Sequence, residues 1–203
     1  FYQRLAADNP HNASLNEAAG KYFGDGDLAR KVDSLYSEQE FAKLQAYVNA
    51  GSQPPRLRGV IYVKGSLRLR EGEELQIREG ALITDGPVEL ERGALLEVLH
   101  SAATRTLPGL ITLGKSDVIV APEARLRVHG LAYIARTFDL LAGASVDIVG
   151  SVLAGGPGFS VSIAGTAVIR YDPAVLGTPG LSVADDAAVT AWVARWEELP
   201  LGE

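Results

Sequence analysis

A recurrence of about twenty-one residues governs what this chain can fold into. Lines begun at Gly59, Gly80, Gly109, Gly130 and Gly150 read GVIYVKGSLRLREGEELQIRE, GALITDGPVELERGALLEVLHSAATRTLP, GLITLGKSDVIVAPEARLRVH, GLAYIARTFDLLAGASVDIV and GSVLAGGPGFSVSIAGTAVIRYDP, and the starts are 21, 29, 21 and 20 residues apart. A fixed period of this length is the signature of a repeat architecture in which each unit is buried only by its neighbours. Within a line, three short alternating apolar segments are separated by Gly, Pro, Asp or Ser, as in VIYV, SLRL and ELQI. Alternation turns every second side chain inward. Leu67 and Leu69 are then core residues and Arg68 and Arg70 face solvent, and the same holds for Val88 and Leu90, Leu126 and Val128, and Val146 and Ile148. An antiparallel meander would not require each segment to match its counterpart one period away. A coiling chain does, so the expected fold is mainly β: a parallel β-solenoid of about five coils with three short strands per coil. At about 4.8 Å per layer it forms a rod section roughly 20 to 25 Å long.

Charges give an independent check on that register. Advancing by one period sets Lys64 against Asp85, Arg68 against Glu89, Arg70 against Glu91 and Glu71 against Arg92, four pairs of opposite sign and none of like sign. Each exposed pair contributes only about 0.2 to 1 kcal/mol, so the pairs specify register while the inward Leu, Ile and Val supply stability. The expected boundaries are a helical N-terminal segment at 1–58, the solenoid at 59–175 and a C-terminal capping segment at 176–203. Ser37 followed by Glu40 is a capping box, Phe41, Leu44 and Val48 keep helical spacing, and Gly51 fits a stop, so a helix is expected over 38–50. Shorter helices are expected from Asp27 to Tyr36 and from Ser14 to Tyr22, with Pro54 and Pro55 marking the junction. In the tail, Val189, Trp192, Val193, Trp196 and Leu199 fit one helix face after Asp185 or Asp186, although the β-formers there also allow a strand; either would cover a solenoid end.

Nothing in the sequence assembles a catalytic or metal constellation. There is no cysteine, and His11, His100 and His129 lie far apart without ligand spacing, so no metal site and no cofactor are expected. His129 reads as a solvent-facing corner residue. GGPG at 155–158 lacks the ending of a phosphate loop and reads as a turn, while Ser160 and Ser162 alternate outward. Glu73 with Glu74 and Asp185 with Asp186 read as turn and helix-start carboxylates. Lys plus Arg number 19 against 25 Asp plus Glu, a formal charge of −6, which disfavours a generally basic nucleic-acid binder and leaves room only for a focused patch. The second line exceeds the period by the excursion SAATRTLP, and insertions at solenoid corners often build a binding face. Arg105 within it, with Lys115, Arg125, Arg127 and Arg136, is the candidate DNA- or anion-binding set; ordinary solvated charge is the alternative reading.

The GVIYVKG line at Gly59, the GSVLAGGPGFSVSIAGTAVIRYDP line and Trp196-Glu197 resemble the repetitive C-terminal region of PilX-type, type IV pilus-associated proteins and the ComZ-like minor pilins of natural competence. The resemblance covers about residues 56 to 198 and is strongest at Gly-Val-Ile-Tyr-Val and at Tyr171-Asp172-Pro173. It implies an exported, pilus-associated protein at the cell surface, with other pilins as partners, DNA as a further partner in the competence proteins, and membrane contact only through an N-terminal helix that this chain does not contain. The chain starts at Phe1 and has no methionine, from which we expect that the natural start is missing and that any export signal is not visible in this sequence. The resulting expectation is a non-catalytic extracellular solenoid displaying a rigid surface. The alternatives are a bactofilin-like cytoplasmic scaffold polymerising through its ends, and a solenoid hydrolase, lyase or acyltransferase.

Overall fold

A computed structural model describes residues 1–20, 33–50, 56–100, 107–114, 116–155 and 158–171. The chain winds as a parallel β-solenoid of about five coils preceded by short helices. In order the described elements are α1 (Tyr2–Ala7), α2 (Ala13–Ala18), β1 (Leu35–Ser37), α3 (Glu38–Asn49), β2 (Arg56–Lys64), β3 (Leu67–Leu69), β4 (Glu74–Thr84), β5 (Val88–Leu90), β6 (Leu95–Leu99), β7 (Leu110–Thr112), β8 (Val118–Val120), β9 (Arg125–Ile134), β10 (Thr137–Leu140), β11 (Ser145–Ala154), β12 (Ser160–Ile163) and β13 (Thr166–Tyr171). One sheet runs β1-β2-β4-β6-β9-β11-β13 with β7 joining β4 and β9; the other runs β12-β10-β8-β5-β3. All described pairings are parallel.

The interior is a set of ladders, one residue per coil. Leu57, Ile77, Val98, Val128, Ile148 and Ile169 follow one another in register along the first sheet, and Leu67, Val88, Val118, Phe138 and Val161 do so along the second. Each residue is one of the alternate apolar positions of the sequence, and all but the last of each ladder are buried. Arg68 is opposite Glu89, as the period requires. The ion pairing is diagonal rather than straight: Arg68 reaches Glu91 at 2.6 Å and Glu89 at only 3.9 Å, and Arg92 turns forward to Glu123 at 3.7 Å. Lys64–Asp85, Arg70–Glu91 and Glu71–Arg92 are not ion-paired, because long exposed side chains lean along the strand and reach diagonal neighbours.

The three strands expected per coil merge into two in most coils, since β4, β9 and β11 run unbroken around one corner. The glycines that mark the repeat make this bend. A Cβ on Gly80 would lie 1.9 Å from the Gly59 carbonyl oxygen, and one on Gly150 would lie 2.1 Å from that of Gly130, so successive corners stack backbone on backbone with no room for a side chain. A second corner repeats a tight turn, with Glu73, Ala94, Ala124 and Ala144 donating N–H to the carbonyls of Arg70, Glu91, Ala121 and Leu141. Its third residue is left-handed each time: Gly72, Gly93, Glu123 and Gly143. The eight-residue excursion leaves between β6 and β7, where the register on β9 jumps between Val98↔Val128 and Leu110↔Ala132.

The N-terminal segment closes the first coil. The capping box forms, with Ser37 accepting from the Glu40 N–H and Glu40 accepting from the Ser37 N–H, and Phe41, Leu44 and Val48 of α3 are buried against the solenoid interior. The expected helix at 27–36 is corrected at its described end: Leu35–Ser37 forms β1 and extends the sheet alongside Tyr62–Lys64. Pairing an otherwise bare parallel edge outweighs local helix preference there. The segment is therefore not purely helical, and β2 of the solenoid already includes Arg56. The helix expected from Ser14 is α2, ending at Ala18, and α1 was not expected. Residues 21–32, Gly51, Pro54 and Pro55 lie outside the described residues. Three buried asparagines complete the cap. Asn9 donates to the Arg58 and Val60 carbonyls at 2.8 and 2.9 Å, Asn12 both donates to the Arg58 carbonyl and accepts from the Arg58 N–H, and Asn16 donates to the Asp33 carbonyl and accepts from the Tyr36 hydroxyl. Gln45 donates to the Arg68 carbonyl on β3. Edge groups that would otherwise be unpaired are thereby satisfied.

Candidate functional site

The three outer faces of the solenoid differ in chemistry. The face formed by the second halves of β2, β4 and β9 with β7 is apolar, with Val60, Tyr62, Ala81, Ile83 and Ile111 covered by Tyr2, Leu5 and Ala6 of α1 and by Leu107 and Leu113. The face of β3, β5, β8 and β10 carries Arg68, Glu89, Ile119 and Asp139. The face formed by the first halves of β2, β4, β9 and β11 with β6 and β13 gathers six arginines, Arg56, Arg58, Arg78, Arg125, Arg127 and Arg170, against the carboxylates of Glu74, Glu79, Glu97 and Asp147. A chain of charge −6 thus presents one sheet face with an excess of cations.

Alternation and stacking together create this face. Arg125 and Arg127 flank buried Leu126 on β9 and point outward about 6.7 Å apart. In the next two coils their columns continue through Ser145 and Thr166, and through Asp147 and Val168, and Arg170 stands one outward position further along β13. Arg125, Arg127 and Arg170 line a shallow groove floored by Ser145, Asp147 and Val168. The carboxylates hold the guanidinium groups in place. Glu97, almost wholly buried, receives Arg127 at 3.0 Å and Arg78 at 3.4 Å; Asp147 receives Arg170 at 2.6 and 2.9 Å; Arg58 pairs with Glu79. Arg125 is exposed and makes no ion pair with a described residue.

Of the five candidate cations, Arg125 and Arg127 are neighbours here. Arg136 is not part of this face. It sits past the glycine corner beyond β9, where its Nε and Nη2 donate to Asp117 at 2.8 and 2.6 Å. Burial works against ionisation of Asp117, but the hydrogen bonds from Arg136 and Thr137 and the Arg136 charge prevail and hold its carboxyl below the usual range. Arg105 and Lys115 lie outside the described residues. Arg58, Arg78 and Arg170 were missed as site residues. The period signals part of this: Arg58 and Arg78, twenty residues apart, stand opposite each other, and Arg170 follows Val149 and His129 in register.

His129 is exposed beside buried Val128, and His100 folds over the base of the excursion, its Nε2 within hydrogen-bonding distance of the Pro108 carbonyl at 3.2 Å. Burial holds the His100 imidazole below its ordinary pKa. Gly158 is in a turn, and Ser160 and Ser162 are exposed on β12. Among the described residues no three His, Asp or Glu side chains converge as a metal site would need, and no helix is long and apolar enough to cross a membrane. Compared with protein-family models, curated proteins and solved structures, the chain matches none, so its likeness to pilus-associated proteins rests on the residues quoted for it.

Proposed function

We propose that this chain is a non-catalytic display solenoid of a type IV pilus or competence system, working outside the cell, and that its arginine face binds the phosphate backbone of DNA. The observation that carries the reading is the convergence of Arg125, Arg127 and Arg170 on a flat, rigid sheet face within an acidic chain. Arginine presents a planar fork suited to phosphate, and spacing along a strand of about 6.7 Å is close to that between successive phosphates of an extended strand. Such a face reads charge and not base sequence, because contacts to phosphate carry no sequence information. The paired carboxylates Glu97 and Asp147 keep the guanidinium groups oriented, and their presence limits affinity to a contact suited to capture and release. The pilus setting is supported by the resemblance at GVIYVKG and Tyr171-Asp172-Pro173; other pilins are the further partners it implies.

Titration of a short fluorescent DNA at two salt concentrations tests the binding claim. Replacing Arg125, Arg127 and Arg170 together with Ala is expected to weaken binding and to reduce the slope of log affinity against log salt by about 2 to 3, since each lost phosphate contact contributes about 0.7 to 0.9. Replacing Arg4, Arg68 and Arg136, which lie off this face on α1, on β3 and past the corner beside Asp117, leaves both unchanged. Equal effects from the two triple variants, or no binding by the parent chain, refute a DNA role for this face. The pilus claim is tested separately by the encoding gene, in which a prepilin cleavage motif and an apolar helix are expected upstream of Phe1.

A further inference from the structure

The two ends of the solenoid are treated differently. At the first coil, β1, α3 and the asparagines of the N-terminal segment occupy the strand edges and bury the core. At the last coil, Val161 and Ile169 occupy inward columns whose members one coil earlier, Phe138 and Ile148, are 2% and 0% exposed, yet they are themselves 50% and 40% exposed. Ile163 and Ala167 beside them are only partly covered. The end coil therefore presents the cross-section of the core together with two parallel edges, β12 and β13, on which no described strand pairs.

We infer that this end is closed by the chain's own residues 185–199. The tail begins directly after β13, so it starts at the rim of the surface to be covered. Its apolar residues recur as Val189, Trp192, Val193, Trp196 and Leu199, on one side of a helical spacing, with Arg195, Glu197 and Glu198 off that side. Two indoles supply the large apolar area that an open core needs, about 150 to 250 Å² each. A second copy stacking head to tail is disfavoured by the first coil, where β1 and two asparagines take the edge of β2 and α3 lies over the core.

The chain carries its own reporter, because its two tryptophans are both in this segment. In the full chain, tryptophan emission is expected to lie to the blue of that from a peptide of residues 185–199, with acrylamide quenching severalfold weaker. Val161→Asp and Ile169→Asp, which place charge in the exposed core, are expected to shift emission to that of the free peptide and restore its quenching. Val168→Asp, on the same strand but facing outward, leaves both unchanged. Should the core variants fail to fold, a nitroxide on Ser162→Cys, at the rim of the end coil in an otherwise cysteine-free chain, is expected to quench the tryptophans, and one on Tyr47→Cys, exposed on α3 at the opposite end, is not. Emission identical to that of the peptide, or equal quenching from the two labels, overturns the inference. Protection that disappears on dilution as a dimer dissociates overturns it in favour of a second copy.

Discussion

Substituting alanine at Gly80 tests the stacking of the coils at its tightest point. A Cβ there would sit 1.9 Å from the Gly59 carbonyl oxygen and 2.2 Å from the carbonyl carbon, whereas ordinary contact begins near 3.4 Å. Both obstacles are backbone, so relief requires the two coils to part locally by about 1.5 Å out of a layer spacing of about 4.8 Å. Ladder hydrogen bonds next to the corner then stretch beyond bonding range. Overpacking of about 1 to 3 kcal/mol, with about 1 kcal/mol for each bond lost, gives a destabilisation of about 3 kcal/mol or more. Gly72→Ala is the control. Its φ is +71°, but nothing lies within 4 Å of the new Cβ, so only left-handed strain of about 1 to 2 kcal/mol applies, partly offset by the stiffer unfolded chain. For a domain of this size about 2 to 4 °C accompanies each kcal/mol, so thermal unfolding followed by far-ultraviolet circular dichroism should show a loss of about 6 to 12 °C for Gly80→Ala and about 2 to 4 °C for Gly72→Ala. Equal losses would mean that Gly59 and Gly80 are not stacked, and the parallel register would fall with them.

Glu123 occupies the left-handed position that Gly72, Gly93 and Gly143 hold in the other coils, at φ +65°, so Glu123→Gly should raise the melting temperature by about 1 to 3 °C despite loss of its exposed pairing with Arg92; a lower melting temperature would show that the ion pair outweighs the backbone strain. His100 has its folded pKa lowered by burial, so its contribution is present above the unfolded value of 6.5 and is lost as pH falls below that value toward the folded one. Melting temperature should therefore decline between about pH 7.5 and pH 5, and less so in His100→Asn, with parallel curves excluding His100 as the cause. Asp117, also lowered, follows the same sign in a separate window beginning at its ordinary value of 3.8. At the alkaline end, burial raises the Tyr36 hydroxyl far above its ordinary 10.0, so stability is intact below that value and falls as pH rises through it; Tyr36→Phe should remove this alkaline loss in denaturant titrations, and an unchanged profile would assign it elsewhere.

Repeat length, alternation and corner glycines were legible in the sequence because each is imposed by local chemistry. Inward positions must be apolar in every coil, and Gly80 and Gly150 must lack a Cβ, so the pattern is written once per turn. The candidate site was legible only in part. Arg125 and Arg127 share a strand and could be placed together from alternation alone. Arg58, Arg78 and Arg170 come from other coils, and Arg136, close in sequence to Arg127, is carried past a corner and neutralised by Asp117. The closure of the first coil was still less visible. Asn9, Asn12 and Asn16 are polar residues in and between short helices, and nothing in their neighbours marks them as buried. Asn9 and Asn12 are buried because β2 offers unpaired carbonyls and an N–H within their reach, and Asn16 because it bonds the Asp33 carbonyl and the Tyr36 hydroxyl beside β1. By itself, then, the sequence determined how the chain coils, since that depends on a rule repeated every turn. Which cations meet on one face and what seals the first edge depend on single long-range contacts, and these exist only once the coils have stacked.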